Sequence, residues 1–184
     1  NITLWGSVVN IVLTVGKIAA GIVGRSAAMV ADGIHSLSDL LSDIVVLIFT
    51  HISSKGNDRD HSFGHGKFET LATLIVSVIL IIAGARLMSG GVRSIIGVFN
   101  GEAIPKPGYV ALIAAIISIL AKEILYHATV KVGKRSCSPA VIANAWHHRS
   151  DAFSSIGSLI GIGGAILLGD KWTILDPIAS CIIS

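Results

Sequence analysis

Long apolar stretches, broken by short polar or Gly- and Pro-bearing segments, organise this chain. The first stretch runs from about Ile2 to Val23 and stops at Gly24-Arg25-Ser26. The second begins near Ala27 and continues to about Ile52. After a polar segment from Ser53 to Lys67, the third covers about Phe68 to Met88 and extends toward Val98, where Asn100-Gly101 and Pro105-Lys106-Pro107-Gly108 mark a turn. The fourth runs from about Tyr109 to Val130 and is closed by the basic segment Lys131 to Arg135. Ser138-Pro139 caps a fifth that reaches about Leu168, and Gly169-Asp170-Lys171-Trp172 turns into a sixth. A bilayer asks for about 20 apolar residues per helical span. The pattern therefore predicts an all-α membrane protein, a single bundle of six transmembrane helices. Asp176-Pro177 reads as an N-cap followed by Pro at the first helical position. That apolar run stops at Ser184, so the sixth helix is expected to be cut short. Asn1 stands where a Met would start a natural chain, with no signal-peptide pattern before the first span, so a start downstream of the natural one is expected.

Composition supports the same class. Apolar residues make up 52% of the chain and charged residues 14%, against roughly a quarter charged in a soluble domain. The net charge of +3 comes from Lys and Arg placed mainly in loops and at helix ends. That placement fits interfacial anchoring and the positive-inside bias, not nucleic-acid binding. The cluster at Lys131 to Arg135 leans toward cytoplasmic second and fourth loops, and Trp172 is placed to anchor at an interface. Cys137 and Cys181 are far apart and form no C-x-x-C, which argues for neither a disulfide framework nor a thiolate zinc site. Gly157-x-x-x-Gly161, with Gly163 and Gly164 behind it, reads as close helix packing in lipid.

Two copies of one short pattern, His35-x-x-x-Asp39 and His147-x-x-x-Asp151, interrupt the second and fifth spans. A spacing of four puts His and Asp on one helix face a turn apart, and ionisable groups in hydrocarbon mark functional sites. Two pairs facing each other offer two imidazole nitrogens and two carboxylate oxygens, a donor set suited to a tetrahedral divalent ion, zinc above all. The alternative, that each His merely bonds its own Asp, is weakened by recurrence in two spans, because isolated buried ion pairs are poor sources of stability. Asp32 and Asp43 extend an acidic stripe on the second span. Asp32 either favours the helix dipole or stands at a water-filled entrance, and Asp43 either orients an imidazole or is a wet carboxylate. Ser36, Ser38, Ser150 and Ser154 are placed to donate to the ligands or to bond their own backbone. His148 and Arg149, about 100° and 200° round the helix from His147, are expected to face headgroups or a partner. Lys17 is a further charge within the first span. Lys122 and Glu123, near the basic cluster, are expected to snorkel to an interface. In the polar segment, Asp58, Asp60, His61 and His65 either bind a second cation or form a solvated loop.

The stretch Asp58-Arg-Asp-His-Ser-Phe-Gly-His-Gly-Lys67-Phe-Glu69 resembles the signature between the second and third helices of the cation diffusion facilitator family. Asp32-Gly-Ile-His35-Ser-Leu-Ser-Asp39 resembles that family's second-helix motif, His147-His-Arg-Ser-Asp151 its fifth-helix motif, and Leu175-Asp176-Pro177-Ile-Ala-Ser the start of its sixth. The resemblance implies a transmembrane domain over residues 1–184, usually followed by a cytoplasmic metal-binding domain, which is expected to be absent from this stretch of sequence. It implies a homodimer that exports divalent cations in exchange for protons, with a transport site of His35, Asp39, His147 and Asp151 and an accessory site at Asp58, His61 and His65. Lys67 matches a position associated with interlocking the membrane and soluble parts. A His at position 35, where some members carry Asp, is similar to the zinc-preferring type.

The expected function is therefore divalent metal efflux by metal/proton antiport. Zinc is the first candidate as transported substrate, with cobalt, cadmium, manganese and iron behind it. No cofactor is expected. The partners are the metal, protons, the bilayer and a second copy, in a plasma or inner membrane, with an organelle membrane as the alternative. Metal binding needs neutral imidazoles and ionised carboxylates, so it releases protons. Two rivals use the same ligands: an embedded zinc hydrolase, and a sensor or scaffold that binds without flux. Against the hydrolase, catalytic zinc keeps an open position and a separate base, and the chain has neither His-Glu-x-x-His nor Gly-x-Ser-x-Gly.

Overall fold

The computed structural model describes the backbone of residues 2–53, 66–137 and 139–184, with the side chains of 5–41, 44, 74–137, 139 and 141–184. Among these residues the chain is all-helical: α1 (Ile2–Val23), α2 (Ala27–Ser53), α3 (Gly66–Phe99), α4 (Tyr109–Arg135), α5 (Pro139–Leu167), a 3-10 turn at Asp170–Trp172, and α6 (Leu175–Ile183). Helix α4 starts after Gly108, whose backbone is extended, and ends with Lys134 and Arg135 in its last turn, where cations favour the helix dipole. Among the described residues, four helices are long and apolar enough to cross a membrane: Trp5–Val23, Leu74–Phe99, Tyr109–Arg135 and Val141–Leu167.

The bundle carries many polar and charged side chains inside and large apolar ones outside. Asn10, Thr14, Lys17, Asp32, Ser36, Ser118, Lys122, Asp151 and Ser155 are buried, while Trp5, Ile22, Ile81, Phe99, Ile124 and Leu167 are exposed. Water would reject that arrangement, whereas hydrocarbon favours it, because helices satisfy their own backbone groups and charges are costly on the lipid side. The protein is an integral, multi-pass membrane protein.

Helices α4 and α5 pack along their length, α1 lies against α2 and α4, and α6 fills the space among α2, α3 and α5. Helix α3 touches only the α2 and α6 side extensively and turns the rest of its surface outward. A small apolar core of Ala28, Met29, Ala111, Ala115, Ile162, Ile166 and Ala179 ties four helices together. Small residues set how near the backbones come. A Cβ at Gly33 would meet Ile18 Cγ1 at 2.6 Å, and at Gly161 or Gly164 one would collide with Ala179 or Leu175 of α6.

The start of α6 differs from the sequence reading. The helix begins at Leu175, with Pro177 third in it, and Asp176 caps a different helix. Its carboxylate accepts from Ser26 Oγ at 2.6 Å, Ala27 N at 2.8 Å and Ala28 N at 3.4 Å, while Ser26 Oγ accepts from Met29 N at 3.1 Å. The first N–H groups of α2 have no intrahelical partner, and a carboxylate at that positive end satisfies them. Asp176 thus pins α6 to the beginning of the helix that carries His35 and Asp39.

Candidate metal centre

Where α2 meets α5 inside the bundle, Asp39, His147 and Asp151 converge. One carboxylate oxygen from each aspartate and one imidazole nitrogen lie within 4.8 Å of one another. His147 Nε2 stands 3.8 Å from Asp151 Oδ1, one turn along α5. Asp39 Oδ2 is buried without a hydrogen-bond partner, and the nearest imidazole nitrogen paired with it, His35 Nε2, is 4.0 Å away. A buried carboxylate oxygen left unpaired is costly unless a cation or donor comes to it. Two oxygens and one nitrogen with an open side fit a divalent ion, which at bonds of about 2.0–2.2 Å would draw them closer than they stand.

His35 sits at the edge of this group and is not one of the three converging ligands. Its side chain is 45% exposed and lines a cavity of about 90 Å³ between α2, α3 and α6, beside Ile34, Ser38, Leu80 and Leu87. The imidazoles therefore lie toward the open side and the Asp151 carboxylate, 6% exposed, toward the interior. Asp58, Asp60, His61 and His65 lie outside the described residues, as do the side chains of Asp43 and Lys67.

Lys122 does not snorkel. It is 2% exposed, and its Nζ lies 2.6 Å from Asp151 Oδ2 and 2.7 Å from Asn10 Oδ1. The signal was present in the spacing of α4: Ala111, Ala115, Ser118, Lys122, Leu125, Thr129 and Gly133 are all buried, a stripe at intervals of three and four in which Lys122 is an interior position. Glu123, one residue on, lies off that stripe and pairs with His127 Nε2 at 3.2 Å.

His148 also departs from expectation. It is buried among Ala145, Ala152 and Ser155 on the inner face of α5, with Nε2 3.4 Å from Asn144 Nδ2. Gly6 of α1 lies against the ring, since a Cβ there would be in ordinary contact with His148 Nε2 at 3.5 Å. Arg149 stays away from the convergent ligands: its guanidinium lies 4.7 Å from the Tyr126 ring centre and donates to Tyr126 Oη at 3.2 Å.

Asp32 is neither a dipole partner nor an entrance group. Its Oδ2 pairs with Lys17 Nζ at 2.9 Å, and it accepts from Ser154 Oγ at 2.8 Å and Ser155 Oγ at 2.9 Å. Lys17 also donates to Ser36 Oγ at 3.0 Å and Ser155 Oγ at 2.8 Å. Ser36 and Ser154, read as donors near the ligands or to their own backbone, instead belong to this network, which joins α1, α2 and α5.

Residues 4–184 match the cation efflux transmembrane domain family. The chain is 40% identical over 187 residues to the manganese efflux system protein MneP of Bacillus subtilis, covering 100% of this chain and 61% of that protein. It is 37% identical over 191 residues to metal tolerance protein C1 of Arabidopsis thaliana, covering 97% and 40% of the two. To the magnetosome protein MamB of a Magnetospira species it is 37% identical over 163 residues, covering 89% and 54%. The chain thus spans less than two thirds of the length of each of these relatives.

Proposed function

We propose that this chain, which belongs to the cation efflux transmembrane domain family, carries divalent metal ions across a bilayer through a site made by His35, Asp39, His147 and Asp151. The observation that carries the reading is the convergence of Asp39, His147 and Asp151 around an unpaired buried carboxylate oxygen. His35, 4.0 Å from that oxygen, completes the donor set by swinging inward from the cavity it lines. Efflux moves an ion without breaking bonds in a substrate, so a hydrolase is not part of this reading, and no cofactor is required.

Neutral imidazoles and ionised carboxylates bind the metal, so loading expels protons and protonation favours release. Alternation of access follows if α2 and α5, which hold all four ligands, rock against their neighbours around a site deep in the bundle. Protons as counter-ions, a homodimeric assembly and an accessory site at Asp58, His61 and His65 belong to the same proposal. Zinc is the first substrate, because two nitrogens and two oxygens match its preferences and N/O sites bind it more tightly than manganese. Manganese is the second reading, favoured by the name of the Bacillus subtilis relative.

Proteoliposomes of the full-length protein test both. Zn²⁺ uptake that depends on a pH gradient and disappears in Asp39→Ala and Asp151→Ala is the expected result. Uptake that survives either substitution refutes the site, and binding without uptake would make the protein a sensor. Competition between Zn²⁺ and Mn²⁺, in wild type and His35→Asp, decides the metal: a broadened profile in the variant assigns selectivity to His35, and an unchanged one removes that role.

A further inference from the structure

Asp151 divides its carboxylate. Oδ1 faces His147 Nε2 at 3.8 Å, while Oδ2 is held by Lys122 Nζ at 2.6 Å, and Asp39 converges on His147 and Asp151. A fixed ammonium is thus built into direct contact with a candidate metal ligand. We infer that Lys122 is a resident cation of the transport site, holding one oxygen of Asp151 between passages and competing with the arriving metal, so that it lowers affinity and hastens release. The inference rests on the reading of Asp39, His147 and Asp151 as metal ligands.

Three observations favour this over a purely structural role. Lys122 has a second acceptor outside the ligand set, Asn10 Oδ1 at 2.7 Å, which can retain the ammonium when a metal draws Asp151 away. Asp39 and Asp151 bring negative charge and, among the described residues, Lys122 is a lysine bonded to one of them, so a divalent ion entering beside it meets repulsion that low-dielectric surroundings leave largely unscreened. Lys17 provides the contrast. Its acceptors are Asp32, Ser36 and Ser155, none of them a candidate ligand, so a buried lysine in this bundle does not have to rest on the metal site.

With a net ligand charge of about −2, an undiluted site would hold a divalent ion tightly and surrender it slowly. A lysine in contact shifts that balance toward turnover. Lys122 is a positioning residue in this scheme, acting through Asp151 and needing no bond to the metal.

The test is Zn²⁺ titration by calorimetry on full-length protein in detergent, together with Zn²⁺ flux in proteoliposomes. Close buried charge pairs couple strongly enough that Lys122→Met is expected to tighten, by at least about tenfold, the Zn²⁺ binding that Asp151→Ala removes, while its flux falls below wild type. A structural role would give the opposite sign, since a loosened site binds less well. Should Lys122→Met fail to fold, Lys122→Gln keeps a donor between Asn10 and Asp151 without the charge and carries the same expectation. Unchanged or weaker binding in the folded variant overturns the inference alone, provided Asp151→Ala still loses the ion. If Asp151→Ala binds Zn²⁺ like wild type, the site reading falls and this inference falls with it.

Discussion

Two lysine–aspartate pairs cross the interior of the bundle, one about α2 and one about α4, and they differ in what surrounds them. Around Lys17 and Asp32, three serines complete the arrangement: Ser36 and Ser155 accept from the ammonium, and Ser154 and Ser155 donate to the carboxylate. Around Lys122 and Asp151 the companions are Asn10, His147 and Asp39, and the nearby Asp39 Oδ2 has no hydrogen-bond partner. The first network is closed and joins α1, α2 and α5. The second is open on the side where the ligands converge. Satisfied buried networks rigidify, whereas an unsatisfied group invites a partner. The same ion pair is therefore a fastener in one place and part of a binding site in the other.

Breaking the closed pair should have the largest effect on stability. Asp32→Ala strands Lys17 in the interior, and the loss of folding stability should be about 3–5 kcal/mol, read from thermal unfolding in detergent. The double substitution Lys17→Met with Asp32→Leu should recover most of it, because apolar residues of similar size often replace a buried pair without cost. Persistent instability in the double variant would mean that the serine hydrogen bonds lost with both charged groups, and not the stranded ammonium, account for the cost. At the open site, Asp151→Ala or Asp39→Ala should reduce metal flux by more than the roughly 100-fold that even an orienting partner of a ligand can cost. Melting should change less for Asp39→Ala than for Asp32→Ala, since Asp39 Oδ2 has no hydrogen-bond partner to strand, whereas Asp151→Ala strands Lys122 as Asp32→Ala strands Lys17.

Smaller effects sharpen the contrast. Asp176→Ala removes the cap that α6 lends to α2 and should cost about 1–2 kcal/mol, with a weaker metal affinity if the start of α2 helps to place His35 and Asp39. An unchanged affinity would confine Asp176 to stability. Ser154→Ala removes one of several bonds to Asp32 and should cost about 1 kcal/mol in melting, leaving Zn²⁺ affinity as in wild type. A change in affinity instead would show that the closed network also tunes the open one.

Much of the helical architecture was legible because each element is a long apolar run ended by Gly, Pro or charge. Helix α2 begins where Gly24-Arg25-Ser26 ends the first run, and α4 begins directly after the Pro105 to Gly108 turn. The fourth helix continues to Arg135, because its basic residues lie in its last turn and not beyond it. The two His-x-x-x-Asp pairs were legible as candidates, since such pairs in apolar helices are costly without a purpose, and the structure brings three of their four residues together. Lys122 and His148 were misplaced by proximity to a basic cluster and by angle from His147. Both were assigned outward, although each lies on the small-residue stripe that forms its helix's inner face. Asp176 was misread because an Asp-Pro pair before an apolar run looks like a local cap, while its acceptors serve α2, far away in sequence.

The sequence by itself determined the number and order of the helices, the membrane as their solvent, and the residue types that bring chemistry inside. Those follow from local periodicity and from the cost of placing charge in hydrocarbon. Only the tertiary structure decided which charges meet. Periodicity fixes a residue's face on its own helix but not the depth or rotation of the neighbouring helix. Whether Lys122 reached for an interface or for Asp151, whether His35 stood within the ligand cluster or at its edge, and whether Asp176 capped its own helix or another all turned on that relative placement.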